Sequence, residues 1–330
     1  MNWRSTLGHT KTKMNNTVFL TDLSVKDKSW DTHKSSSVGI SQLYSKSGND
    51  RYSSRIKGCS NRLEFAITKA NELGETKLKL TGSQFCRVRH CSICQWRRSL
   101  KWRGRMFVAT PKILAAYPSH RWLFLTLTIR NCELSELRSQ LDHMNKSFAK
   151  LVKLKDFPAI GWIRSTEVTR GKDDSAHPHF HCLLLVPSTY FKGNHYLSTA
   201  KWAKKWQKAL KVSYIPMTNL KAIRAHSDED LANQICHTLK YAVKPEDLLG
   251  GDDNNSVDNS VWLNELTTQL HKTRAVAIGG VIKDYLKEID EDKDDLVHIK
   301  EIPDNEQEVD ENEPKLFFKY HHNHKRYYLS

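Results

Sequence analysis

Three histidines occupy every second position in HPHFHCLLLV, residues 177–186. In an extended strand, residues two apart project from the same face about 6–7 Å apart. His179 and His181 can therefore converge on one ion while Phe180 packs into the core. Glu167 lies in the preceding segment STEVT, and a turn at residues 171–176 would bring this carboxylate opposite the histidine pair. Two imidazoles and one carboxylate suit Mg²⁺ or Mn²⁺ acting on phosphate, or a catalytic Zn²⁺.

The simpler alternative for this segment is a polar strand face that binds no ion. His177 lies on the same strand face as the pair, and we interpret it as a residue beside the ligands rather than a ligand itself.

A tyrosine and a lysine lie three residues apart in KYAVKPEDL, at the end of the last predicted helix. Tyr241 and Lys244 share a helix face with His237, four residues before the tyrosine. A tyrosine beside a metal ion can act as a nucleophile, because the cation and a lysine both favour the phenolate. Taken alone, Tyr241 would be an ordinary residue of an amphipathic helix.

Four of the seven cysteines precede residue 95. Cys86, Cys91 and Cys94 have the spacing of a zinc knuckle, and tetrahedral zinc needs a fourth ligand. Cys59, which lies just before a hairpin predicted for RLEFAIT and KLKL, is preferred over His90 as this ligand. The alternative is a group of unpaired core cysteines. The remaining cysteines lie in apolar neighbourhoods and are predicted to be core residues: Cys132, Cys182 and Cys236.

The charge of the chain is strongly positive, with 52 Lys+Arg against 37 Asp+Glu and a net charge of +15. Residues 284–313 hold 14 acidic and 3 basic side chains, so the other 300 residues carry +26. Such a field favours nucleic acid over acidic small substrates. The run QWRRSLKWRGR predicts either a phosphate-binding helix or a merely solvated cationic one. Its candidate DNA contacts are Arg97, Arg98, Lys101, Arg103 and Arg105.

Alternating apolar residues predict strands in RLEFAIT, KLKL, RWLFLTLTIRN, AIGWIRSTEVTR, PHFHCLLLV and LKAIRAH. Helical periodicity is found in SELRSQLDHMNKSFAKLVKL, AKWAKKWQKAL and SDEDLANQICHTLKYAV, the last two capped by Ser198 and Ser227. The resulting order β-α-β-β-α-β-α predicts an α+β fold, a split βαβ antiparallel sheet with helices on one face.

Composition suggests four regions along the chain. Residues 1–55 are polar and basic and predict a flexible arm, whereas 56–110 form a zinc-finger-like DNA-binding region. Residues 111–285 contain the α+β domain, and 286–330 an acidic, disordered tail. The N-terminus has no apolar signal region and no apolar stretch reaches the roughly 20 residues that span a bilayer. A soluble, cytoplasmic protein without a membrane partner is therefore expected.

Together, these motifs resemble those of rolling-circle plasmid replication initiators in the HUH endonuclease superfamily, the class with a single catalytic tyrosine. FLTLT at 124–128 is similar to their first motif, HPHFHCLLL to their metal-binding motif and LKYAVKPEDL to their tyrosine motif. FCRVRHCSICQWRRSLKW, with Cys59 upstream, is similar to the zinc-finger-like region before their catalytic core. The resemblance covers about residues 59–285.

The resemblance implies that residues 111–285 adopt the HUH fold and nick a plasmid double-strand origin. His179 and His181, with Glu167 as a third ligand, would bind catalytic Mg²⁺ or Mn²⁺. Tyr241 would attack the scissile phosphate to form a 5′-phosphotyrosine link, leaving a 3′-OH primer. Structural Zn²⁺ would occupy the cysteine cluster. Implied partners are origin DNA, single-stranded DNA, and a host helicase and polymerase.

One departure concerns His237, because many relatives carry a glutamate at this position that is thought to act in termination. Histidine is itself a general base at neutral pH, and termination through another group is the alternative. Two further hypotheses stay open. One is a relaxase or transposase of the same superfamily, and the other a zinc-dependent DNA-binding regulator without catalysis. A metal-dependent hydrolase of small substrates would make little use of the basic charge.

Overall fold

A computed structural model describes residues 17–224, 230–231, 234–235, 248–249, 257–287 and 308–330. Within these residues, the α-helices of at least four residues with defined ends are α1 (Leu20–Leu23), α2 (Lys28–Lys46), α3 (Asp50–Gly58), α4 (Ser92–Ala116), α5 (Leu137–Leu151), α6 (Thr199–Leu210), α7 (Asn259–Gln269) and α8 (Ile282–Lys287). The strands are β1 (Arg62–Ile67), β2 (Leu78–Ser83), β3 (Arg121–Thr128), β4 (Gly161–Arg170), β5 (Ala176–Val186), β6 (Thr218–Ala222), β7 (Val276–Gly280), β8 (Leu316–His321) and β9 (Arg326–Leu329).

The described chain forms two compact units, and both contain an antiparallel sheet. The first unit combines residues 17–101 with residues 308–330, and its sheet has the order β2-β1-β8-β9. On the inner face of this sheet, Phe65 packs edge-on against Phe318 with ring centroids 5.7 Å apart. Helix α2 covers the same face, where Trp30 meets Tyr327. The prediction of an α+β protein is confirmed.

The predictions of a flexible N-terminal arm and a disordered C-terminal tail are wrong for residues 17–55 and 308–330, which form helices and strands. In α2, the buried face includes Lys34, Ser37 and Ser41 beside Trp30 and Tyr44, so it lacks the apolar periodicity of an ordinary amphipathic helix. Residues 316–321 and 326–329 form a hairpin that pairs with β1. Residues 1–16 and 288–307 lie outside the described part of the chain.

The second unit, residues 102–287, contains a five-stranded sheet of order β6-β3-β5-β4-β7. The four strands predicted for this domain are present, and all neighbouring pairs are antiparallel. The predicted turn joins β4 and β5 into a hairpin. Ser198 caps α6 as expected, its side chain accepting a hydrogen bond from the backbone N–H of Lys201. The order of the elements from β3 to β6 therefore agrees with the prediction.

Helices cover both faces of this sheet, which corrects the prediction of helices on one face. On one side, Phe180 packs between Phe148 of α5 and Trp206 of α6, with centroids 5.9 and 6.3 Å away. On the other, one buried cluster joins side chains of α4, β3 and β5. That cluster includes Met106, Ala109, Ile113, Trp122, Leu183 and Leu185. The boundary between the units consequently falls at residues 101–102, inside α4, rather than at 110–111.

Within the part of the chain that the structure describes, no helix combines the length and the apolar character needed to cross a membrane.

Candidate functional site

The β4–β5 hairpin brings Glu167 and the two histidines of HFH together. Glu167 and His179 are directly opposite one another in the register, and His181 follows on the same face. The Glu167 Oε2 atom lies 3.2 Å from His179 Nε2 and 2.6 Å from His181 Nε2. One ligand atom from each residue lies within 4.8 Å of the other two. This arrangement has the size and donor types of a three-residue metal site.

Hydrogen bonds behind the histidines orient their rings. His179 Nδ1 lies 3.2 Å from the backbone carbonyl of His177, and a carbonyl only accepts, so this nitrogen carries the proton. In the neutral ring, Nε2 is then unprotonated and faces the Glu167 carboxylate across 3.2 Å. Two lone-pair donors pointing at each other need a cation or a proton between them. The site is therefore suited to a bound metal ion.

The other ring, His181, is held by neighbours on β3. Its Nδ1 lies 3.3 Å from the Thr126 hydroxyl, and the ring stacks on Phe124 with centroids 5.3 Å apart. Burial by itself raises the pKa of Glu167, but when His179 and His181 are protonated, their hydrogen bonds to the carboxylate and their charge lower it to about 2. Glu167 consequently stays an anionic ligand across the physiological pH range.

His177 is separate from this group of ligands. Its Nδ1 lies 2.6 Å from the Asn131 side-chain oxygen, and its ring centroid is 5.3 Å from that of His179. The Asn131 amide in turn donates to the Ser175 hydroxyl. His177 thus lies beside the three candidate ligands and outside their group.

The four cysteines of the predicted zinc site also converge. The Sγ atoms of Cys59 and Cys86 both lie 3.7 Å from Cys94 Sγ, and all four sulfurs are within 4.8 Å of one another. A tetrahedron of sulfurs about 2.3 Å from zinc has edges of about 3.8 Å. The two distances of 3.7 Å agree with the edge of such a tetrahedron, so the cluster has the size of a zinc site. Cys132 and Cys182 are buried elsewhere, as predicted, and Cys236 lies outside the described residues.

Backbone donors surround these sulfurs. The N–H of Arg87 donates to Cys94 Sγ at 3.3 Å, and the N–H of Cys86 donates to Cys59 Sγ at 3.4 Å. Hydrogen bonds from the other thiols, that of Cys59 first, lower the pKa of Cys91 well below its ordinary value. Hydrogen bonds with Cys59 raise the pKa values of Cys86 and Cys94, whereas the hydrogen bond with Cys86 lowers the pKa of Cys59. Four separate thiolates thus need a cation among them, which a divalent metal supplies.

The alternative fourth ligand, His90, is not part of the cluster. Its side chain is buried, and within the described residues neither ring nitrogen has a hydrogen-bond partner. Burial lowers its pKa to about 3, so the ring is neutral. The geometry therefore favours Cys59 over His90 as the fourth candidate ligand.

The family model for replication proteins matches residues 77–328, about three quarters of the chain. The chain belongs to the replication protein family. The matched residues include the five-stranded sheet with Glu167, His179 and His181, and nearly all of the C-terminal hairpin, whereas Cys59 lies before them. The match also confirms that the chain resembles rolling-circle plasmid replication initiators, as its motifs indicated.

Individual relatives support this membership. A "Protein rep" of Lactiplantibacillus plantarum is 37% identical over 255 residues, covering 74% of this chain and 78% of the relative. A "Protein rep" of Lentilactobacillus hilgardii is 30% identical over 312 residues, covering 92% and 96%. A third, from Streptococcus pneumoniae, is 29% identical and covers 80% of both chains. No solved structure gives a significant match.

The predicted nucleophile and its neighbours lie outside the described residues: His237, Tyr241 and Lys244. Residues 230–231 and 234–235, just before them, are helical, as the sequence predicted for this segment.

The basic helix α4 exposes fewer of its cations to solvent than its sequence suggested. Arg97 is buried, and its guanidinium stacks on Trp30 and Trp96, 5.2 and 5.3 Å from their ring centroids. It is therefore a packing residue rather than a DNA contact. Arg105 donates to the Leu286 carbonyl at 2.8 Å and stacks on Trp102. The remaining candidates are half-exposed: Arg98, Lys101 and Arg103.

Sequence reasoning missed two residues of α2 beside the cysteine cluster. Lys34 is fully buried, and its Nζ donates to the carbonyls of Lys57 and Cys59 and to the Asn61 side chain. The Ser37 hydroxyl accepts from the N–H of Ile93 and lies 3.5 Å from Cys91 Sγ. The only signal in the sequence was the spacing of Trp30, Lys34 and Ser37 along one helix face.

Proposed function

We propose that this chain initiates plasmid replication as a metal-dependent enzyme that nicks and rejoins origin DNA. The convergence of one carboxylate oxygen and two imidazole nitrogens on the β4–β5 hairpin carries this proposal. Replication proteins act on nucleic acid, and a basic chain with such a site has the chemistry needed to cut it. In this proposal the second unit has the HUH fold and acts in the cytoplasm.

Glu167, His179 and His181 would hold Mg²⁺ or Mn²⁺, which when bound polarises a phosphoryl oxygen of the scissile phosphate. The donor set fits these ions because it mixes imidazole with carboxylate and adds one negative charge. The hydrogen bonds of His179 to the His177 carbonyl and of His181 to Thr126 keep both rings oriented. The three side chains would therefore already have the orientation of metal ligands before DNA binds.

In the proposed reaction, Tyr241 supplies the nucleophile. Its phenolate oxygen forms a bond to phosphorus, the bond from phosphorus to the 3′-oxygen breaks, and that oxygen takes a proton to become the 3′-OH primer. Lys244 favours the phenolate by its positive charge. The 5′-phosphotyrosine retains the phosphodiester, so a later 3′-OH can reverse the step and rejoin the strand. His237 is the candidate base for termination.

Zinc is the metal proposed for Cys59, Cys86, Cys91 and Cys94, with a structural role in the first unit. The proposed DNA partners are the double-strand origin and the single strand that nicking exposes. Binding of a host helicase and a host polymerase stays a prediction.

Replacing Glu167 with glutamine is expected to raise the dissociation constant for Mn²⁺ by about tenfold or more, because the group of three candidate ligands loses its negative charge. Electron paramagnetic resonance of free Mn²⁺ measures this constant without DNA. An exposed carboxylate of the same unit, Glu136, provides the matched control, and Glu136→Gln should bind like the wild type. Equal Mn²⁺ affinity in wild type and Glu167→Gln would contradict the site and favour a DNA-binding regulator without catalysis.

A further inference from the structure

The four-stranded sheet of the first unit presents one face to solvent. Its inner face is closed by buried side chains such as Leu63, Phe318 and Tyr327. On the opposite face, Arg62, Lys319 and Tyr328 form a row across β1, β8 and β9, because Lys319 is the register partner of both others. Arg62 and Lys319 are exposed and Tyr328 is half-exposed. We call this solvent side the outer face.

Two aromatic rings lie among cations on the outer face. Phe317 is two residues before Lys319 on β8, so it shares this face. The Arg62 guanidinium lies over the Phe317 ring, 4.1 Å from its centroid. Phe317 and Tyr328 are diagonal neighbours on adjacent strands, a relation that separates residues by about 7–8 Å. At this separation, each ring can stack on a different one of two successive bases.

The charges of the outer face are mostly positive. Its carboxylate, Glu64, forms an ion pair with Lys315 at 2.7 Å and is thereby neutralised. Arg62, Lys319 and Lys79, which is exposed on β2, supply three further cations. An exposed sheet face that joins aromatic rings to cations suits single-stranded nucleic acid, since rings stack on bases and cations bind phosphates. In a duplex, the base faces are already stacked on one another.

We propose that the outer face binds single-stranded DNA. Tyr328 and the Arg62–Phe317 pair stack on bases, and Lys319 and Lys79 contact phosphates. The face belongs to a different unit from the candidate nicking site, so this activity goes beyond the proposed nicking and does not require Tyr241 to react. The outer face would be a second binding site for the single strand that becomes exposed when an origin opens.

The first test measures fluorescence anisotropy of a labelled dT oligonucleotide of about 20 nucleotides with the full chain. Tyr328→Ala should raise the dissociation constant about fivefold or more, and Tyr328→Phe should restore binding because the ring is kept. Phe191→Ala, which removes an exposed aromatic ring of the other unit, is the matched control and should bind like the wild type. Circular dichroism and zinc content establish that each variant is folded.

The salt dependence of binding separates the two kinds of contact. Lys319→Ala should reduce the slope of log K against log salt concentration by about 0.7, as expected when one phosphate contact of a single strand is lost. Tyr328→Ala should weaken binding and leave the slope unchanged. Lys155→Ala, at an exposed lysine of the other unit, should change neither quantity.

Crosslinking gives a readout that does not depend on affinity. Oligonucleotides containing 5-iododeoxyuridine should crosslink to peptides from residues 316–329, which include both rings. Crosslinks confined to other peptides, unchanged affinity in Tyr328→Ala, or equal competition by a duplex would overturn the proposal. Failure of nicking alone would leave it intact, because every assay here measures binding without cleavage.

Discussion

Replacing His181 with alanine is expected to lower the rate of origin nicking by about a hundredfold or more. His181 contributes the shortest contact of the site, 2.6 Å from the Glu167 carboxylate, and the ring is fixed by Thr126 and Phe124. Removing it leaves two ligands for a divalent ion that must stabilise charge on a phosphate. The measurement is the initial rate at which supercoiled plasmid becomes open circular DNA, with Mn²⁺ present.

His177→Ala is the matched control, since it removes an imidazole from the same strand face. Its ring is hydrogen-bonded to Asn131 and lies outside the group of three ligands. We expect a change of less than about tenfold in the nicking rate. Excess Mn²⁺ should partly restore His181→Ala if the loss is one of metal affinity. Nicking at the wild-type rate by His181→Ala would show that the hairpin does not hold the catalytic ion.

Replacing Cys94 with serine is expected to remove bound zinc and unfold the first unit. Cys94 Sγ lies 3.7 Å from two other cluster sulfurs, and its loss leaves an incomplete tetrahedron. Structural zinc contributes about 10–16 kcal/mol in small domains, comparable with the entire stability of about 5–15 kcal/mol that folded domains have. Wild type purified without chelator should contain about one zinc per chain, whereas Cys94→Ser should contain none.

Cys182→Ser tests whether any buried cysteine would give the same result. Cys182 is fully buried in the other unit and lies outside the cluster. This variant should keep its zinc, even if the hydroxyl lowers the melting temperature. A wild-type chain that is folded without metal, or a Cys94→Ser chain that keeps one zinc, would refute the assignment of this cluster.

The β4–β5 hairpin was predictable from the sequence because the residues that determine it are local. Alternation in β4 and β5 fixes which side chains share a face, and the short turn fixes the register that pairs Glu167 with His179. Cys86, Cys91 and Cys94 are likewise close together in the sequence, near the start of α4, and only Cys59 belongs to another segment. Both candidate centres could therefore be predicted from residue types and spacing.

The missed features depend on contacts that are remote in the sequence. Strand β8 pairs with β1 more than 240 residues away, and acidic residues precede it, so composition suggested a tail. Strand β7 contains Gly279, where the Trp162 indole occupies the space of a side chain, 2.4 Å from a Cβ added there. In α2, Lys34 and Ser37 face the cysteine cluster, so a buried helix has a polar face.

The most direct test of the account identifies what is attached to the nicked strand. Supercoiled plasmid carrying the replicon of this chain is incubated with wild type or Tyr241→Phe in Mn²⁺ or EDTA, digested with protease, and its 5′ ends are mapped. The account predicts one metal-dependent nick whose 5′ phosphate carries a peptide containing Tyr241, and no nick by Tyr241→Phe, which still binds the plasmid. A free 5′ phosphate, or the same nick made by Tyr241→Phe, would contradict it.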